Sequence, residues 1–258
     1  MRINRRIVDD FLSGKDICEE WIFSEIEEGK HLFCLFDVQT KQSEIKELAD
    51  RISQMTEHFE PCNAAYYRSL FPEFEQQLRD YEVMLTVGLP SPYDAMVIEH
   101  NGTERIVFDM GRFLAYPDPE NFARLMLTHE TTHALLHQRW NQDKTASYRE
   151  QLQFLCFDEG FAHLFACGKE LSDFDALPWV REHQNSALLQ LQKALACKDA
   201  CEQEQWLIQA QTGRYWDKFA AIAGKLFLIT RLDSLKEIYQ AGPSRFLPDI
   251  FDTSERNG

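Results

Sequence analysis

The chain has 258 residues, 44% of them hydrophobic, and a formal net charge of -15 at pH 7. That length and apolar content suffice to bury a sizeable core, as one large domain or one domain with an appendage. So much negative charge repels phosphate backbones, which removes nucleic acid from the expected partners.

The first sixteen residues, MRINRRIVDDFLSGKD, carry basic side chains but no apolar run behind them. No secretory signal is expected. The most apolar stretch, 218-KFAAIAGKLFLIT-230, is broken by Lys225 and too short to span a bilayer, so no membrane partner is expected either. The seven cysteines are odd in number and irregular in spacing, although Cys197 and Cys201 are spaced to share a helix face. Reduced thiols in a cytoplasmic protein fit this pattern better than a disulfide framework or a cysteine zinc knuckle.

The first 80 residues read as an N-terminal helical segment, and 81–258 as the second domain. Ile45, Leu48, Ile52, Met55 and Phe59 recur in steps of three and four and define one helical face, ended by Pro61. Residues 64–81 read as a further helix, interrupted near Pro72. The pattern then changes. Glu82 to Val87 has strand composition, and 95-AMVIEH-100 and 105-RIVFDM-110 flank Asn101-Gly102, a hairpin signal with a loop longer than the shortest kind. Asp118-Pro119-Glu120 spells a helix start: a cap, a proline at the first turn and an acid at the positive end of the dipole. The helix it opens should run to about Trp140. Residues 147–171 read as helix with Asp158-Glu159-Gly160 as a candidate break, and 178–196 and 214–231 also read as helix. The class expected is α+β, predominantly helical, with a small antiparallel sheet before the helix that starts at Pro119.

That helix contains 125-LMLTHETTHALLH-137, in which His129, Glu130 and His133 form H-E-x-x-H. Residues four apart share a helix face, so two imidazoles at this spacing can direct nitrogens at one ion about 2.0–2.1 Å away. Glu130, about 100° round the helix, can reach a water rather than the ion. With this chain's own residue counts, roughly 0.04 matches of H-[D/E]-x-x-H are expected by chance. Thr131 and Thr132 are uncharged and the flanks are apolar, as a buried site helix requires. The alternative is a pair of satisfied histidines on a core helix. A catalytic zinc needs a third protein ligand. His137 lies about 12 Å along the axis from His129, too far to share one ion. Glu159, in 157-FDEGFAHLF-165, is the best candidate from another helix.

His129-Glu130-x-x-His133 followed by Phe157-Asp158-Glu159-Gly160-Phe161-Ala162 resembles the gluzincin class of zinc metallopeptidases, over roughly residues 95–170. The resemblance implies a zincin-like fold and one zinc ion on His129, His133 and Glu159. It implies Glu130 as general base and acid, and a peptide or protein as substrate. It also implies that Arg105–Met110 is an outer strand pairing with extended substrate. Two departures stand out. The thermolysin-like pattern has an aspartate four residues after the glutamate ligand, where this chain has His163. The G-x-M-E-N-type segment of the aminopeptidase branch is missing. Asp158 reads equally as a helix cap or as the carboxylate that orients a ligand histidine. His163 reads as packing or support for the site rather than as a ligand. An oxyanion donor in such enzymes is a Tyr or His from the C-terminal part. Tyr215, which follows Gly213-Arg214 at a helix start, fits that role or that of a half-buried packing residue; His183 fits less well. The expectation is a zinc-dependent hydrolase of peptides, or of another amide. The rival is a non-catalytic helical interaction protein with a structural or vestigial zinc site.

Overall fold

The computed structural model describes residues 1–27, 30–34, 39–140 and 146–254. In chain order the elements are β1 (Arg2–Asn4), α1 (Arg6–Leu12), α2 (Ile22–Glu25), α3 (Gln42–Glu57), α4 (Ala64–Leu70), α5 (Phe74–Gln77), β2 (Glu82–Thr86), β3 (Ala95–His100), β4 (Thr103–Asp109) and α6 (Met110–Phe113). They continue with α7 (Pro119–His137), α8 (Tyr148–Phe165), α9 (Leu177–Ala196), α10 (Ala200–Gln211), α11 (Phe219–Ile229), α12 (Leu235–Ala241) and α13 (Pro243–Ser254). The class is α+β. The chain divides into two compact units, one of residues 1–61 and 73–130, the other of 62–72 and 131–258. The division falls inside the continuous helix α7, directly after Glu130.

The first unit is built on a four-stranded sheet of order β1-β2-β4-β3. β1 and β4 both pair parallel with β2, and only β3 with β4 is antiparallel. The sheet is therefore mixed, not antiparallel as expected from sequence, because β2 runs parallel to β4, and Arg2–Asn4 adds a further parallel strand where helix was anticipated. β4 is flanked on both sides, so Arg105–Met110 is not an outer strand; β1 and β3 are the edges. Val83, Met84 and Leu85 of β2 and Ile106, Val107 and Phe108 of β4 are buried as continuous runs, the signature of interior strands covered on both faces. α3 buries Ile45, Leu48, Ala49 and Ile52 against this core, the face set by their spacing.

The hairpin turns at Asn101-Gly102 with φ of +54° and +71°. His100 pairs with Thr103, so the loop has two residues and is the shortest kind after all. Both central residues take positive φ, which Asn and Gly tolerate best. The polar Thr103 and Glu104 had hidden the start of β4.

The second unit centres on α8, buried from Phe154 to Phe165 apart from a partly exposed Glu159. α11 is buried along its whole length and lies against it. Two glycines set their approach. A Cβ on Gly160 would stand 2.9 Å from the Cα of Gly224, and one on Gly224 would stand 2.1 Å from the carbonyl oxygen of Cys156. The Asp158-Glu159-Gly160 stretch is accordingly unbroken helix, since its glycine serves close packing. α13 lays Phe246 edge-on to Phe157 and Phe227. Cys197 closes α9 while Cys201 lies in α10, so they share no helix face. All seven thiols are free.

Candidate metal centre

α7 starts as its sequence spells: the Asp118 carboxylate accepts the backbone N–H of Asn121 at 3.1 Å. It ends at His137, three residues before the expected Trp140. Thr128, Thr131 and Thr132 are fully buried, which explains why no charge stands there. In the second unit the Tyr67 hydroxyl of α4 donates to Thr131 Oγ1 at 2.9 Å, fixing this turn of the helix. Glu130 is 9% exposed.

His129, His133 and Glu159 each offer a ligand atom, and these atoms all lie within 4.8 Å of one another. The Glu159 side chain is 13% exposed, and burial raises the pKa of its carboxyl. Asp158 does not cap α8, which begins ten residues earlier under a capping box of Ser147 and Glu150. Its Oδ2 instead lies 2.8 Å from Nδ1 of His133. That contact engages one ring nitrogen of His133 and fixes the orientation of its ring. Burial by itself would raise the Asp158 pKa, but His133 and His137 outweigh it and hold the carboxyl at about 2. Asp158 is therefore an anion at neutral pH. Two imidazoles and a carboxylate, with a buried carboxylate bonded to one imidazole, fit the donor chemistry of zinc.

Behind Glu159, one turn along α8, His163 places Nε2 at 3.5 Å from Glu159 Oε2. Desolvation, and then the positive charges of Lys218 and Lys225, keep this ring neutral. Tyr215 sits in a 3-10 turn, Tyr215–Asp217, ahead of α11 rather than in an α-helix. Its ring packs edge-to-face on His163 at 5.4 Å. Its hydroxyl oxygen accepts from the ammonium of Lys225. Lys225 is 1% exposed and lies 4.8 Å from the ring centroid of Trp179. His183 stacks on Trp216 at 3.7 Å and takes its partner there.

Sequence reasoning passed over Lys225 and the His137–Asp158 contact. A lone lysine inside the apolar run 219–230 was the available signal, because a buried ammonium needs a specific partner. No protein-family model, curated protein or solved structure matches the chain. The likeness to zinc peptidases therefore stands on these residues alone.

Proposed function

We propose that the chain is a zinc-dependent hydrolase of gluzincin type and zincin-like fold, with a peptide as substrate. His129, His133 and Glu159 would hold one zinc ion. The observation that supports this most is the convergence of two histidines from α7 and one glutamate from α8, within 4.8 Å, at residues the motif had singled out. When bound, zinc supplies a Lewis acid for the scissile carbonyl and acidifies the attacking water.

The chain's own residues do the rest. Glu130 takes a proton from the water and returns it to the leaving amine. Burial suits that role, because a poorly solvated carboxylate is a better base. Asp158 holds the His133 ring in one tautomer and one orientation. Tyr215 donates its hydroxyl hydrogen to the oxyanion. Lys225 occupies the phenol oxygen from the other side and so leaves that hydrogen for an outside acceptor. The net charge of -15 favours neutral or basic peptides over anionic ones.

The test has two parts. Elemental analysis should find about one zinc per native chain and much less in Glu159→Ala. Glu130→Ala should keep its zinc and lose on the order of 10²–10⁴ in turnover of a fluorogenic peptide library. Undiminished turnover in Glu130→Ala would sink the mechanism. Zinc retained with no hydrolysis by the native chain would instead favour a structural ion in an interaction protein.

A further inference from the structure

We infer that Asp158 and His137 form a second, weaker zinc site, using the carboxylate oxygen of Asp158 that His133 leaves free. The inference rests on the proposed zinc centre only for its neighbour; its own ligands lie in the second unit and do not include Glu159.

Asp158 Oδ2 is taken by His133 Nδ1. The other oxygen, Oδ1, is buried and makes no hydrogen bond among the described residues, and the same holds for Nε2 of His137. The Asp158 side chain is 7% exposed. The two atoms lie 3.3 Å apart, near enough to attract but not aligned for a hydrogen bond. Buried polar atoms are rarely left unsatisfied, and a facing pair of them needs an explanation.

The spacing supplies one. Two ligands of a single tetrahedral zinc, each bonded at about 2.0–2.1 Å, lie about 3.3–3.4 Å apart. Asp158 Oδ1 and His137 Nε2 already stand at that distance. An imidazole and a carboxylate are donors that zinc accepts. His133, His137 and Asp158 together bring one ligand atom each within 4.8 Å, so no long rearrangement separates the ion from the histidine pair. The His137 side chain is 33% exposed although its Nε2 and Asp158 Oδ1 are buried, so an ion and its remaining waters reach the pair once the exposed ring swings outward. With two protein ligands instead of three, this site binds more weakly than the first. It also acts on the first: a carboxylate drawn to a second cation accepts less strongly from His133, so excess zinc loosens the ligand that Asp158 orients.

The metal-free full chain, dialysed against rising concentrations of zinc chloride and assayed by elemental analysis, decides the matter. The native chain should take up about two equivalents in two phases. His137→Gln should lose only the weaker phase, and Glu159→Ala only the tighter one; His137→Asn replaces the glutamine variant if circular dichroism shows α7 disturbed. A single phase that survives His137→Gln and disappears in Glu159→Ala overturns the second site and leaves the proposed centre standing. A single phase lost in His137→Gln but kept in Glu159→Ala upholds this site and overturns the proposed centre. No uptake in any chain overturns both.

Discussion

Asp109 closes β4 and points into the first unit, where its oxygens accept the backbone N–H of Leu89 at 2.7 Å and of Arg112 at 2.9 Å. Complete burial pushes its pKa up to about 7, although these N–H groups favour the anion and oppose the rise. The unfolded chain ionises this group near pH 3.9, so between there and about 7 the folded state holds the extra proton. Its contribution to stability is fully present below the unfolded value and is lost as pH rises through about 7. Asp158 works in the opposite window: its pKa is depressed to about 2, so its contribution is present above the unfolded value and is lost on acidification towards 2. Carbon-13 carboxyl titration of Asp109 should give a midpoint near 7. A midpoint at or below the free-aspartate value would mean that the N–H groups around the carboxylate outweigh burial. The sequence left Asp158 between a cap and a partner for a histidine, and it held no sign of the role of Asp109. A lone aspartate at a strand end spells a helix cap, and only the packing around it fixes how far water is excluded.

Among the elements, α8 and α11 approach closely at two glycines, Gly160 and Gly224. Gly224→Ala places a methyl 2.1 Å from the Cys156 carbonyl oxygen. That atom belongs to helix backbone, so the helices must part, at a cost on the order of 3 kcal/mol or more. Gly160→Ala meets the Cα of Gly224 at 2.9 Å and should cost less. Urea unfolding of the two variants checks the order; Gly224→Ala within about 0.5 kcal/mol of native would refute the close approach. Because Gly160 follows Glu159, the same separation would also displace a candidate ligand. Sequence rules read this glycine as a break, since they weigh its freedom in isolation and cannot see a partner helix more than sixty residues away. They read α7 well because its start is chemical and local: cap, proline and acid stand in line. They placed the hairpin from Asn101-Gly102 but misjudged its register where polar residues join β4. They missed β1 because three residues carry no periodicity. Its strand state comes from pairing with β2, which lies beyond all of the first helices.

For the whole molecule, the question is what a bound ion changes in a chain that already carries a net charge of -15. Glu159 resists ionisation because it is buried, and His163 behind it stays neutral for the same reason. A cation at the α7–α8 ligands meets a carboxylate poorly solvated by water and gains from ionising it, whereas the unfolded chain offers no assembled site. Zinc at a thousand times its dissociation constant then stabilises the folded state by about 4 kcal/mol, which corresponds to a rise in Tm of roughly 10 °C for a unit of this size. Chelation should remove that rise in the native chain and shift Glu159→Ala far less, since that variant keeps only the weaker site. Ionic strength has to be held constant, because screening of so large a net charge shifts stability without touching the site. A native melting curve that superimposes with and without chelator, at matched salt and after zinc loading, would show that the ligand cluster contributes no metal-linked stability. A fall in Tm of equal size in Glu159→Ala would trace the effect to charge elsewhere on the chain.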